Sequence, residues 1–275
     1  MKRKISITVN EKLLRDVDSI VDNLYIRNRS QAIEYLIEKA FKDDKIAVIL
    51  AGEGRGNIPG RLKDRYLLKI NHVILIERIV KKLEDSGFRK IYVIANHETQ
   101  TKIFKVIGDG SDHGVKIEFV NEEREEGSAS ALKLLKGTIK TTFLVAQCDV
   151  AFDNVDFLEL LQQHLREKNV ATMRICSSII RSNRALFGQV KLQGTKVLSY
   201  LEKPAPRNVD SSIFFGGVFI AEPEILSFYG KSLEHEIFPE LARKGLLGGQ
   251  MTSTEHLHIH TKEDLEHVRK ELKNN

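Results

Sequence analysis

Lys45-Ile46-Ala47-Val48-Ile49-Leu50-Ala51-Gly52-Glu53-Gly54-Arg55-Gly56 is the stretch on which the fold turns. An unbroken apolar run predicts a strand covered on both faces, as in a parallel sheet flanked by helices. The glycines that follow at once let backbone N–H groups approach a phosphate or base closely, and Arg55 adds charge. No Gly-Lys-Ser/Thr follows, so this is not a Walker A loop, and Gly-x-Gly-x-Gly has the wrong spacing for a dinucleotide fingerprint. Downstream, a helical pattern (Val73 to Leu83), a strand (Ile91–Ala95), another helix and a strand (Lys116–Val120) follow. A helix over 128–136 then precedes the strand Thr142–Ala146, which runs on to Asp149. Strand and helix in alternation predict an α/β domain with a mostly parallel sheet. Thr172 to Phe219 is richer in strands and turns, and Lys262 to Leu272 is a charged helix.

Upstream of Lys45 the rhythm differs. Lys4 to Val9 alternates, with Ile5, Ile7 and Val9 on one face and Lys4, Ser6 and Thr8 on the other, which predicts a half-buried strand. Asn10 is the expected N-cap of a helix carrying Leu13, Leu14, Val17, Ile20, Val21 and Leu24. A second helix is expected from Asn28 or Ser30, carrying Ala32, Ile33, Leu36, Ile37, Ala40 and Phe41. The domains are therefore 1–44 and 45–275. One strand and two helices are too few for an independent core, and the strand edge needs a partner. Two copies pairing their strands into a ribbon solve both problems, and such a ribbon fits the major groove.

Composition sets outer bounds. The chain has 275 residues and a formal net charge of +5. Residues 1–44 hold nine Lys/Arg against eight Asp/Glu, so the basic balance is not itself a DNA signal. Placement carries more: Lys2, Arg3 and Lys4 precede any acid, and Arg27 and Arg29 follow. Cys148 and Cys176 form no CxxC pair, which fits a reducing cytoplasm. No apolar stretch approaches the ~18 residues of a membrane span, so no membrane partner is expected.

Residues 2–41 resemble the ribbon-helix-helix repressors, through the basic-polar strand, the Asn10-Glu11-Lys12-Leu13-Leu14 helix start and Asn28-Arg29-Ser30-Gln31-Ala32-Ile33. The resemblance implies a homodimer on double-stranded DNA through the N-terminal ribbon, with Lys4, Ser6 and Thr8 at bases. Asn28, Arg29 and Ser30 would then lie at phosphate. The alternative is a dimerisation cap with a solvated polar face.

Lys45 to Leu272 resembles the sugar-1-phosphate nucleotidyltransferases. The matching residues are Leu50-Ala51-Gly52-Glu53-Gly54, Gly127-Ser128-Ala129, Asp149, Phe187-Gly188-Gln189-Val190, Glu202-Lys203-Pro204, Gly217-Val218-Phe219 and Ile237-Phe238-Pro239-Glu240-Leu241. The implied fold is a Rossmann-like, GT-A-type nucleotidyltransferase domain with a mixed sheet. The implied reaction is attack of a sugar-1-phosphate on the α-phosphate of an NTP. Ala51, Gly52, Gly54, Arg55, Gly127 and Ser128 would bind nucleotide, and Gly188, Glu202, Lys203 and Gly217 the sugar phosphate. Arg55 and Arg65 would be the catalytic cations, and Asp149 would hold Mg²⁺ if the site works.

Departures stand beside these matches. Gly56 takes the place of the triphosphate-binding Arg, with Arg55 one position early. Arg65 replaces the family's Lys, a swap that keeps charge but not shape. His258 stands where the second metal-binding Asp belongs, and imidazole suits Mg²⁺ poorly. His256, His258 and His260 alternate and share a strand face, as a polar face or a transition-metal cluster. Together these features predict a DNA-binding transcriptional regulator with a nucleotide or nucleotide sugar as effector. The alternative is an active sugar-1-phosphate nucleotidyltransferase with an N-terminal dimerisation or autoregulatory module.

Overall fold

The computed structural model describes residues 6–22, 24–43, 45–52, 62–177, 186–205 and 211–273. Its contacts divide the chain into Met1–Asp44 and Lys45–Asn275, where the sequence rhythm changes.

The first unit holds α1 (Glu11–Ser19) and α2 (Arg29–Asp43). Asn10 caps α1 as expected, its side chain accepting from the Leu13 N–H at 2.8 Å. Residues 6–10 join no ladder among the described residues, so the expected strand is not formed here. The physical reason is that a lone strand has no partner for its N–H and C=O groups, and one copy of this unit offers none. Ser6 and Thr8 are exposed, and Lys4 lies outside the described residues. Asn28 serves the start of α2 instead of projecting outward: its side chain accepts from Gln31 N–H at 3.0 Å. Arg29 is engaged by Asp18 of α1 at 2.5 Å. Asn28, Arg29 and Ser30 are all exposed.

The second unit has strands β1 (Ile46–Leu50), β2 (Lys69–Ile70), β3 (Val73–Ile74), β4 (Lys90–Ala95), β5 (Lys116–Asn121), β6 (Phe143–Gln147) and β7 (Val150–Ala151). It continues with β8 (Ala171–Cys176), β9 (Gln189–Gln193), β10 (Lys196–Leu201), β11 (Phe214–Ala221), β12 (Leu247–Thr252) and β13 (Leu257–His258). Its helices are α3 (Leu75–Asp85), α4 (His97–Ile107), α5 (Ser128–Lys133), α6 (Phe157–Glu167), α7 (Phe238–Arg243) and α8 (Lys262–Glu271). The main sheet runs β5-β4-β1-β6-β11-β8-β12-β10-β9. Its first four strands are parallel, and β11 runs antiparallel to both β6 and β8, giving the expected mixed sheet.

Both faces are covered. Ala47 and Ile49 of β1 pack into one apolar layer with α3, and Val48 packs into the other with α5 and α7. That division is the period-two pleat applied to an all-apolar strand. The helix expected from Val73 starts at Leu75 instead. Val73 and Ile74 close a hairpin with Lys69 and Ile70. Its turn places Asn71 and His72 in left-handed backbone, at φ 48° and 80°. The helix expected over 128–136 stops at Lys133.

Asp156 caps α6, accepting from the Leu158 and Glu159 N–H groups at 2.9 Å each. Asp156→Ala is therefore expected to lower unfolding free energy by about 1 kcal/mol, read by urea denaturation.

Candidate active site

A cavity of about 410 Å³ opens where Leu50 ends β1, Ile94 nears the end of β4 and Gln147 ends β6. This is the carboxyl end of the parallel strands, where open α/β sheets bind ligands. Its wall includes Gly52, Arg65, Gly127, Ser128, Asp149, Gly188, Glu202 and Lys203, all expected from sequence. Ala51 is instead buried in the core and does not line the cavity. The pleat turns its side chain to the same layer as Ala47 and Ile49. Gly54 and Arg55 lie outside the described residues.

Asp149 follows β6 and meets two cationic or imidazole partners. Arg65 Nη1 lies 2.5 Å from its Oδ2, and His258 Nε2 lies 3.1 Å from the same oxygen. Burial alone would raise this carboxyl. The neighbouring His258 and then Arg65 outweigh it and hold the group well below the usual carboxylate range. Strand pairing sets the geometry: His258 opposes Val150, and Ile259 N–H donates to the Asp149 carbonyl at 2.9 Å.

The alternation of His256, His258 and His260 places all three on the cavity wall, with Phe187 packed edge-on against them. All three are buried. Burial, with the neighbouring His258, pushes His256 well below its ordinary value and His260 down to about 2, so both are neutral imidazoles.

The Gly127-Ser128-Ala129 segment is tied down internally. Lys231 carbonyl accepts from the Ala129 and Ser130 N–H groups at 2.9 and 3.1 Å. The backbone N–H groups at this helix start are thus partly used within the protein. A Cβ on Gly127 would stand 2.5 Å from that carbonyl, and its φ is +139°, so only glycine fits. Ser128 accepts from Leu233 N–H at 2.9 Å and donates to Glu234.

On the far wall, Tyr200 donates to Glu202 at 2.7 Å, and Lys203 Nζ lies 3.7 Å from the other carboxylate oxygen. Burial raises the Glu202 carboxyl, and nearby Glu234 raises it further. A Cβ on Gly188 would stand 2.0 Å from Tyr200 Oη and 2.8 Å from Glu202, so glycine is what lets this pair reach the cavity. Lys203 holds a left-handed φ of 43°, a conformation costly for lysine and concentrated at functional sites. Gly217 is not on the wall. It sits beneath it, where a Cβ would meet Val150 and His256.

The sequence reading missed Glu122, Gln147, Glu234 and His235 on the wall. Glu234 and His235 come from a π-helical turn, Leu233–Ile237, of a kind that recurs at functional sites. Its position immediately before the Ile237-Phe238-Pro239 motif was the available signal.

An α/β fold with a mixed sheet and an acidic, histidine-walled cavity at its strand ends is an architecture in which ligands bind at the carboxyl edge of the sheet. The nucleotidyl transferase family profile matches residues 46–247, and the chain belongs to that family. The matched span begins at residue 46 and does not reach the first unit, and nothing in these comparisons supports a ribbon-helix-helix or DNA-binding module there.

Among relatives, the bifunctional protein GlmU of Methanococcus maripaludis is 27% identical over 175 residues, covering 62% of this chain and 38% of that protein. The UTP–glucose-1-phosphate uridylyltransferase of Synechocystis is 26% identical over 220 residues, covering 74% of this chain and 56% of that one. The chain thus spans about two fifths of the GlmU relatives it matches. A crystal structure described as a glucose-1-phosphate thymidylyltransferase from Bacillus anthracis superposes with a TM-score of 0.72 at 21% identity, covering 84% of this chain and 96% of that one. At that identity the likeness concerns the fold. The relatives favour the enzymatic reading over the regulator.

The Mg²⁺ that the family resemblance implies does not suit the donors present. Mg²⁺ wants an octahedron of oxygens. Asp149 offers one carboxylate, its neighbours are imidazoles, and a guanidinium already sits on its oxygen. Among the described residues, no helix is long and apolar enough to cross a membrane. Both cysteines are buried, and neither is in a disulfide.

Proposed function

We propose that the larger unit is a sugar-1-phosphate nucleotidyltransferase. The observation that carries this reading is that one cavity gathers Gly52, Arg65, Gly127, Asp149, Gly188, Glu202 and Lys203 from six separate parts of the chain. In this reading Gly52, Gly127 and Ser128 border the nucleotide, together with Gly54 and Arg55 in the glycine-rich segment. Gly188, Glu202 and Lys203 border the sugar phosphate, with Gly217 shaping the floor. A sugar-1-phosphate oxygen forms the new bond to the α-phosphorus, the α–β bridging bond breaks, and pyrophosphate leaves. Phosphoryl transfer is mostly positioning and charge stabilisation. Arg65 and Lys203 supply fixed positive charge for it, and the largely buried Glu202 accepts from a sugar hydroxyl. Base and sugar are set by the cavity's remaining contacts.

The test incubates the full chain with each NTP, a panel of sugar-1-phosphates, and Mg²⁺ or Mn²⁺ in turn. Pyrophosphate release with a matching nucleotide sugar is the expected result. NTP binding by calorimetry without release from any pair would overturn it.

That negative result would favour the second reading, an effector-controlled DNA-binding regulator. Its own observation is the apolar surface of the first unit, where Leu13, Leu24, Tyr35, Leu36 and Ile37 are exposed. A homodimer through an N-terminal ribbon would cover such side chains, with Lys4, Ser6 and Thr8 facing double-stranded DNA. Equal DNA binding by wild type and a Lys4→Ala, Ser6→Ala, Thr8→Ala chain would reject it.

A further inference from the structure

We propose that Asp149, His258 and His260 form a transition-metal site of the two-imidazole, one-carboxylate class, which takes Co²⁺- or Zn²⁺-type ions in preference to Mg²⁺. One ligating atom from each residue lies within 4.8 Å of the other two. The residues are held by backbone, not by flexible surface chains. The β7–β13 ladder sets His258 against Val150, and alternation brings His260 to the same face two residues on. All three side chains are buried in the cavity wall.

Two further observations concern the same histidines. Buried ring nitrogens nearly always have a partner. Here His258 spends Nε2 on Asp149 and leaves Nδ1 without one, and His256 Nδ1 beside it is also without one. His256 is only 3% exposed, and its ring stacks on His258 at 5.5 Å. Neutral imidazole with one carboxylate is a donor set for first-row transition ions and a poor one for Mg²⁺.

Arg65 is the competing cation. Its guanidinium compensates Asp149 in the metal-free protein and lies where a divalent ion would draw on the same oxygen. Removing it should therefore tighten metal binding, the opposite of what loss of an ordinary site residue does. The inference is independent of nucleotidyl transfer, because it concerns an ion and the protein alone.

Another cluster, Glu255, His267 and Glu271, is part-exposed and serves as the internal comparison. The experiment titrates chelator-stripped full-length protein with Co²⁺, followed by visible absorption, and with Mg²⁺ by calorimetry. One Co²⁺ per chain is expected, displaced by Zn²⁺ and held at least about 100-fold more tightly than Mg²⁺. His260→Ala should weaken Co²⁺ by at least about 10–100-fold, the loss typical of disturbing even outer metal contacts. His267→Gln should leave it unchanged, and Arg65→Met should tighten it. His258→Asp should shift the preference toward Mg²⁺. If His260→Ala does not fold by circular dichroism, His258→Asp decides: its Co²⁺-to-Mg²⁺ affinity ratio must fall by at least about tenfold. The proposal is overturned by no Co²⁺ binding, by equal Co²⁺ and Mg²⁺ affinity, or by an unchanged ratio in His258→Asp. Binding that survives His260→Ala but is lost in His267→Gln overturns it as well.

Discussion

Arg65→Met is expected to lower unfolding free energy at neutral pH by up to about 3–5 kcal/mol, the range for breaking a buried ion pair, reduced by what His258 on the same Asp149 oxygen still supplies. Arg65 and Asp149 are 7% and 13% exposed, so water does little to replace the lost partner. Arg65 also donates to the Ile259 carbonyl at 3.4 Å, a weaker contact that adds little. In the proposed transferase reading, pyrophosphate release should fall by about 100–1,000-fold, as for loss of one fixed stabilising group at a developing charge. The sign of the pH dependence follows from Asp149. Its folded carboxyl lies below the ordinary value, so the stability it contributes is present above about pH 3.9. That contribution is lost as pH falls through the folded value. The mutant's deficit should therefore be full at pH 7 and shrink in acid. Adding Asp149→Asn should recover part of the loss, because the orphaned charge goes with it. Urea denaturation at pH 7 checks all three chains. A single mutant as stable as wild type would show that the pair contributes nothing.

The parts of the fold written in local pattern were legible. The all-apolar β1 announced a strand with two covered faces, and Asn10 announced the start of α1 through one short side-chain bond. The His256–His260 alternation announced a shared face before any ladder was known. What stayed hidden depends on groups far apart in the chain. Nothing near Ser128 indicates that Lys231 carbonyl caps its helix, or that Glu234 receives its hydroxyl. Arg65 reads as a phosphate ligand in isolation, and only the fold brings it onto Asp149. The helix start at Leu75 was misplaced because Val73 and Ile74 fit a helix stripe as well as a strand. Asn71 and His72, in left-handed turn conformations, settled it. The N-terminal alternation is a different case: a strand is a property of two edges, and one chain shows only one.

Arg174→Met is expected to cost about 3 kcal/mol, for a different reason: the loss of hydrogen bonds to buried and half-buried acceptors. Arg174 is fully buried in β8, between β11 and β12. Its guanidinium donates to Gly216 carbonyl at 3.2 Å, Thr252 Oγ1 at 3.2 Å, Thr254 Oγ1 and carbonyl at 3.0 and 3.1 Å, and Glu255 carbonyl at 3.0 Å. All of these acceptors are neutral, so hydrogen bonding and not ion pairing compensates the burial. Burial still drags the guanidinium below its ordinary value. Methionine would relieve that desolvation and fill much of the volume, which can make such a replacement neutral. Here the acceptors decide the outcome. The buried Gly216 carbonyl left without a donor costs about 1–3 kcal/mol, and the half-buried Thr254 and Glu255 carbonyls lose their donor with it. A Cβ on Gly216 would stand 2.9 Å from Arg174 Cγ, so β11 is built to let this side chain pass. The bonds to Thr252, Thr254 and Glu255 fix the connector from β12 into the histidine strand. Arg174 is thus a positioning residue for His256, His258 and His260. Arg174→Met should therefore speed hydrogen exchange at Ile259 N–H and weaken Co²⁺ binding, whereas a merely structural loss would leave metal affinity intact in the folded fraction. Arg174→Lys should recover only part of the stability, since one compact ammonium cannot fork to acceptors on several strands. A methionine variant within about 0.5 kcal/mol of wild type, the range of ordinary surface changes, would mean that water or rearranged backbone satisfies the connector without the guanidinium.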